Sequence, residues 1–299
     1  MKVIFPALFL SAMFARAETA PDEVPGSLRF FETDTAGKLQ VAKITLENSG
    51  GVTIDLVGAV HIADKKYFDD LNKQFTAYDS VLFEMIGGDG DMTENLKESK
   101  ARKDDPIRFF QVLLKNTLEL EYQLEGIDYT AENFTHADMT IEEFKKSQED
   151  SGETLQSFFE RALKAQVSVA EEKKDGDGPL ANIGALMGIF SGDADAGAIK
   201  LGVGRQLGSV DTLIEKIEGE DGSVILTGRN QAAIRKLREI LAGGGKNVAI
   251  FYGAAHLPRM EAQIISELGF KRVRAEWLTA WDIVKPEGKT TLENEKPAA

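Results

Sequence analysis

Two hydrophobic periods alternate along the chain. Leu39 to Asn48 and Val52 to Val60 are β-rich runs separated by Ser49-Gly50-Gly51, which predicts a hairpin. Asp64 to Phe75 sets Phe68, Leu71 and Phe75 on one helical face, and Ser80 to Ile86 is a short, almost wholly apolar run that predicts a strand. Together these make a strand–helix–strand unit. A helical middle comes next, with apolar stripes at Ile107, Phe110, Leu113, Leu114 and Leu118, and again at Leu155, Phe158, Phe159, Ala162, Leu163 and Val167. Thr140 and Glu143 form a capping-box pattern just before Phe144, so a helix is expected to start there, with His136 in the loop before it.

Glu171 to Gly178 reads as a solvated linker. Leu180 to Phe190 is apolar and contains Gly184-x-x-x-Gly188, but eleven residues cannot cross a bilayer, and the glycine-rich stretch to Gly208 is expected to pack loosely. Regular periodicity returns at Ser209 to Ile217 and Thr227 to Ala242, two expected helices, the second carrying Ile234, Leu237 and Leu241 and ending in three glycines. Asn247 to Tyr252 is then a strand, Glu261 to Leu268 a helix closed by Gly269, and Lys271 to Leu278 a strand with Val273, Ala275 and Trp277 alternating. Strand–helix alternation at both ends predicts an α/β fold with a mainly parallel central sheet flanked by helices. A helical subdomain is inserted at about 92–208, within a single domain over 18–284 that ends in a frayed tail at 285–299.

The first seventeen residues have a different character. Lys2 precedes the apolar run Val3 to Phe14, and Ala15-Arg16-Ala17 supplies small residues where a signal peptidase reads. Cleavage is expected after Ala17, giving a periplasmic or secreted protein with no stable membrane span. The run is too short for one, since a span needs roughly twenty residues. Across the 299 residues there is no cysteine, which excludes a disulfide, a thiolate metal site and a cysteine nucleophile. With 35 basic and 49 acidic residues the net charge is −14, so nucleic acid is not an expected partner.

Candidate chemistry lies in a local repeat. After one strand the chain reads Gly58-Ala59-Val60-His61-Ile62, and after another Gly253-Ala254-Ala255-His256-Leu257. A glycine at a strand's carboxyl end permits a sharp turn and close approach, and the histidine three residues on stands at the sheet edge where α/β folds place their sites. Two of only three histidines occupy these equivalent points. Glu84 ends the neighbouring strand after Val81-Leu82-Phe83, where an ionised carboxylate needs a partner. Parallel strands would bring His61, Glu84 and His256 together as a two-histidine, one-carboxylate metal set. Arg229 and Asn230 fall at the start of a helix and, with Tyr252, are candidates for substrate binding, Arg229 also for stabilising an oxyanion.

Gly58-Ala59-Val60-His61, the strand-borne Glu84, Thr227-Gly228-Arg229-Asn230 and Gly253-Ala254-Ala255-His256-Leu257-Pro258 resemble the motif set of the TraB/PrgY/GumN family, which is related to the Tiki metalloproteases. The likeness covers roughly residues 50 to 90 and 205 to 285. It implies an α/β fold shared with erythromycin-esterase-like and ChaN-like haem-binding relatives, and metal-dependent peptide hydrolysis in the Tiki branch. His61, Glu84, Arg229 and His256 are the matching positions. No His-Glu-x-x-His sequence is present.

Two functional classes fit these residues. One is an exported metal-dependent hydrolase of a peptide or other amide or ester, with His61, His256 and Glu84 holding a divalent ion (Mn, Co or Zn), Glu84 as ligand or base, and Arg229 assisting. A metal-free variant would use a histidine as general base, a step worth roughly 10²–10⁴-fold. The other class is a non-catalytic or regulatory protein that sequesters a peptide, haem or metal.

Overall fold

Strands β1 (Leu28–Glu32), β2 (Ala36–Glu47), β3 (Thr53–Ala59), β5 (Ser80–Phe83), β7 (Phe134–His136), β8 (Asn247–Gly253) and β9 (Lys271–Val284) form one sheet in the order β1-β2-β3-β8-β5-β7, with β9 also pairing with β2. β3, β8, β5 and β7 run parallel, while β1, β2 and β9 make an antiparallel wing. The computed structural model describes residues 26–87, 118–154, 157, 160, 161, 164, 196–208, 217 and 223–285. The expected signal segment, the tail beyond 285, the apolar stripe positions at 107–114 and 155–167, the expected linker at 171–178, the apolar run at 180–190 and most of the expected helix at 209–217 lie outside them.

Both faces of the parallel strands are apolar, as a sheet covered on two sides requires. On β8, Val248, Ile250 and Tyr252 face one helical layer and Ala249 and Phe251 the other. The first layer is α5 (Arg229–Ala242) and α6 (Leu257–Leu268), which bury Ala233, Ile234, Leu237, Met260 and Ile264. Against the opposite face lie α1 (Lys65–Phe75), through Tyr67, Phe68, Leu71 and Phe75, and α4 (Ala196–Leu207), through Ile199 and Leu201. The α/β class, with its central parallel sheet flanked by helices, is thus present. Among the described residues no helix is long and apolar enough to cross a membrane.

Smaller elements complete the path: β4 (Ile62–Ala63) pairs with β6 (Glu121–Tyr122), and α2 (Gln123–Gly126) and α3 (Ile141–Ser151) come after β6 in the chain. α3 begins with the expected capping box, in which Thr140 accepts from the Glu143 backbone and the Glu143 side chain accepts from the Thr140 backbone. Three expectations change. His136 ends β7 rather than sitting in a loop, because three residues of β7 pair in register with Val81 to Phe83. β9 continues to Val284, and its core residues are Ala280, Trp281 and Ile283, whereas Val273 is 55% exposed. The described part of the glycine-rich stretch, 196–208, packs closely: α4 lies on β1 so tightly that a Cβ at Gly204 would meet the Phe30 ring at 2.5 Å.

Candidate functional site

The parallel strands deliver their carboxyl ends to one edge. Ala59 pairs with Gly253, Phe83 with Phe251, and His136 with Phe83, so the segments leaving β3, β8, β5 and β7 converge there. Glu84 is the first residue past β5; its backbone N–H donates to the Phe251 carbonyl at 3.3 Å, which extends the ladder by one step. Its side-chain oxygens have separate partners. Oε2 accepts from the Gly253 N–H at 2.5 Å, while Oε1 lies 2.6 Å from Arg229 Nη2 and 3.7 Å from His256 Nε2. A Cβ on Gly253 would stand 3.1 Å from Oε2, so the glycine of the second repeat is what lets the carboxylate reach the backbone.

A five-residue π-turn, Val224–Gly228, precedes α5, with the Gly228 N–H reaching back to the Ser223 carbonyl at 3.0 Å. It delivers Arg229 and Asn230 to the buried side of the first turn of α5. Arg229 donates from Nε and Nη2 to both oxygens of Asp138, at 3.0 and 2.5 Å, as well as to Glu84. Asp138 lies two residues beyond β7 and its side chain is fully buried. The guanidinium is therefore a clamp between two carboxylates, a different task from the free oxyanion donor expected of it. Sequence reasoning passed over Asp138; an acid two residues beyond a short strand carries no signal until the strand itself is found.

His256 sits in a single 3₁₀ turn, Ala254–His256, between β8 and α6, and is 3% exposed. Asn230 holds it twice: Nδ2 donates to the His256 carbonyl at 3.2 Å, which turns Oδ1 toward His256 Nδ1 at 2.6 Å. The imidazole must therefore carry its proton on Nδ1, leaving Nε2 as a bare lone pair facing Glu84. Tyr252 packs edge-on against the His256 ring at 5.2 Å and donates its hydroxyl to the Ala137 carbonyl at 2.6 Å. Asn230 and Tyr252, expected to bind substrate, are buried supports of His256 in this arrangement. His61 comes after β3 on the exposed rim, with Nδ1 3.2 Å from Gln123 Oε1. His136 contacts the Met85 carbonyl through Nε2 at 2.7 Å.

The charges reinforce this picture. Burial opposes ionisation of Glu84, but Arg229, then His256 and His61, and finally the Gly253 N–H outweigh it and bring the carboxyl down to about 2. Burial is also the largest influence on His256; Glu84 pulls the other way, and the ring is left at about 4. Burial opposes the charge of Arg229, yet Glu84 and Asp138 hold it firmly protonated. At neutral pH the site thus contains a carboxylate and a neutral imidazole whose lone pairs face each other with no proton between them.

The resemblance implies a metal here, and the donor chemistry of the described residues fits one in part. His256 Nε2 and Glu84 Oε1, 3.7 Å apart, can both reach a cation bonded to each at about 2 Å, Oε1 while also accepting from Arg229, and the His256 Nδ1–H is committed to the Asn230 side-chain carbonyl, as a ligating histidine requires. Among the described residues, however, no three His, Asp or Glu side chains stand close enough to form a complete metal cluster. A separate cavity of about 340 Å³ lies between α1 and β9, lined by Asp64, Tyr67, Asp70, Gln74, Trp277 and Asp282, and none of the three candidate ligands lines it. The chain matches no protein-family model, no curated protein and no solved structure.

Proposed function

We propose that this chain is an exported metal-dependent hydrolase of the TraB/PrgY/GumN type, acting on a peptide or other amide or ester. The observation that carries the reading is the unprotonated face shared by His256 Nε2 and Glu84 Oε1. His256, Glu84 and, from the rim, His61 would hold a divalent ion, whose bound chemistry is Lewis acidity that lowers the pKa of water from 15.7 to about 7. The chain's own residues do the rest. Asn230 keeps the proton of His256 on Nδ1, so that Nε2 stays a donor. Arg229 and the Gly253 N–H keep Glu84 ionised. Asp138 in turn neutralises Arg229 and fixes its plane.

The low pKa of His256 discriminates between mechanisms. A ring with a pKa of about 4 is a weak base at neutral pH, which argues against His256 as a metal-free general base. The same value keeps the ring neutral, as ligation demands. Export rests on the pattern of residues 1–17.

The deciding experiment is metal analysis of the purified mature protein after incubation with Mn, Co or Zn, alongside His61→Ala and His256→Ala. About one equivalent in the parent and a loss in both variants is the expected result. Equal metal in all three proteins, or none in any, overturns the proposal. Metal retained without turnover of peptide or ester panels would transfer the reading to sequestration.

A further inference from the structure

The segment around Gln123 makes more contact with His61 than chain continuity requires. The Gln123 N–H donates to the His61 carbonyl at 2.8 Å, and β4 pairs with β6 immediately alongside. The Gln123 side chain is 5% exposed, with Nε2 donating to the Tyr129 hydroxyl at 2.8 Å and Oε1 left for His61 Nδ1. Asn72 on α1 anchors the same segment from below, donating to the Gly126 carbonyl at 2.7 Å and accepting from the Asp128 N–H at 3.1 Å. In this arrangement the amide gives its nitrogen to Tyr129 and presents its oxygen to the ring. The second repeat is built the same way, with Asn230 gripped at its nitrogen and presenting its oxygen to His256 Nδ1. Two amides, from unrelated parts of the chain, thus do the same thing to the two repeated histidines.

We propose that Gln123 is a positioning residue that holds His61 in its Nδ1–H tautomer, so that Nε2 is kept bare for the site, as Asn230 does for His256. The inference builds on the reading of the site as a pair of histidine donors, but it concerns the ring's proton and is tested without metal, substrate or turnover.

The test is long-range ¹H–¹⁵N NMR of the metal-free full chain at neutral pH, comparing the parent with Gln123→Glu and Gln123→Met. In the parent, His61 is expected to show a protonated Nδ1 and a bare Nε2. In Gln123→Met, which fills the same space with no acceptor, His61 should move toward the Nε2–H form while His256 keeps its signature as an internal control. In Gln123→Glu the protonated Nδ1 should persist and its proton should shift downfield, because a charged acceptor strengthens the bond. The inference is overturned if Gln123→Met leaves the His61 tautomer unchanged. An unmoved Nδ1 proton in Gln123→Glu also overturns it, and this second readout stands should Gln123→Met fail to fold. Either result leaves the metal analysis of the histidine variants free to succeed or fail independently.

Discussion

Glu84 is held by Arg229 and the Gly253 N–H, and His256 by Asn230 with its Nε2 turned to Glu84, and this makes their protonation a folding variable. Both titrate below their ordinary values, Glu84 at about 2 and His256 at about 4. An unfolded histidine binds a proton near pH 6.5 while the folded ring does not until about 4. Stability of the metal-free protein should thus be full above about 6.5 and fall as pH drops through that window, with Glu84 adding a further loss between about 4.5 and 2. Urea unfolding at pH 7, 5.5 and 4 checks this: the decline from 7 to 4 should be clearly smaller in His256→Gln than in the parent. Asp138 offers a second measurement at this scale. Asp138→Asn leaves Arg229 paired with Glu84 but weakens its charge-assisted hydrogen bonds to residue 138, and a cost of about 1.5–3 kcal/mol in urea unfolding is expected.

Among the elements, two glycines separate what a backbone requires from what the site requires. Gly253 has φ −46° and ψ 134°, torsions open to alanine, but an added Cβ would meet Glu84 Oε2 at 3.1 Å. Gly253→Ala should therefore spare stability to within about 1 kcal/mol yet lower activity about tenfold or more. Gly269 closes α6 at φ +72° with open space around it. Gly269→Ala should cost about 1 kcal/mol in left-handed strain with activity unchanged. Thermal unfolding and initial rates on the same samples distinguish the two. Elements with strong local patterns were legible in the sequence: the β2–β3 hairpin, α1, the Thr140 capping box, and β8 flanked by its two helices. The short strands β1 and β7 were not, because three to five residues carry too few positions for a period to show. Finding β7 depends on its partner β5. The same limit hid part of the site. His61, Glu84, Arg229 and His256 could be named from a repeat and a strand end, whereas Asp138 and Gln123 gain meaning only from what they touch across the fold.

For the molecule as a whole, the antiparallel wing is tied to the parallel core through the site's own rim. Trp281 on β9 is 1% exposed and donates Nε1–H to the Ile62 carbonyl at 2.8 Å, one residue from His61, while the Asp64 N–H donates to the Ala280 carbonyl. Trp281→Phe keeps a ring in the core but leaves the Ile62 oxygen without that donor. A loss of about 1–3 kcal/mol is expected, together with faster amide exchange over residues 61–64. Exchange measured by mass spectrometry, with α6 as an unaffected reference, checks it.

The parallel pairing of β3 with β8 joins stretches far apart in the chain: His61 and His256 are 256 − 61 = 195 positions apart, yet they come directly after strands that lie side by side. Contacts of such long sequence separation form slowly. A nascent chain leaving the ribosome carries the first imidazole through the synthesis of 195 further residues before the second is made. On the reading proposed above, any product that stops short of His256 lacks half of the donor pair, whatever else of it has folded, so turnover of substrate would report that synthesis had passed that residue.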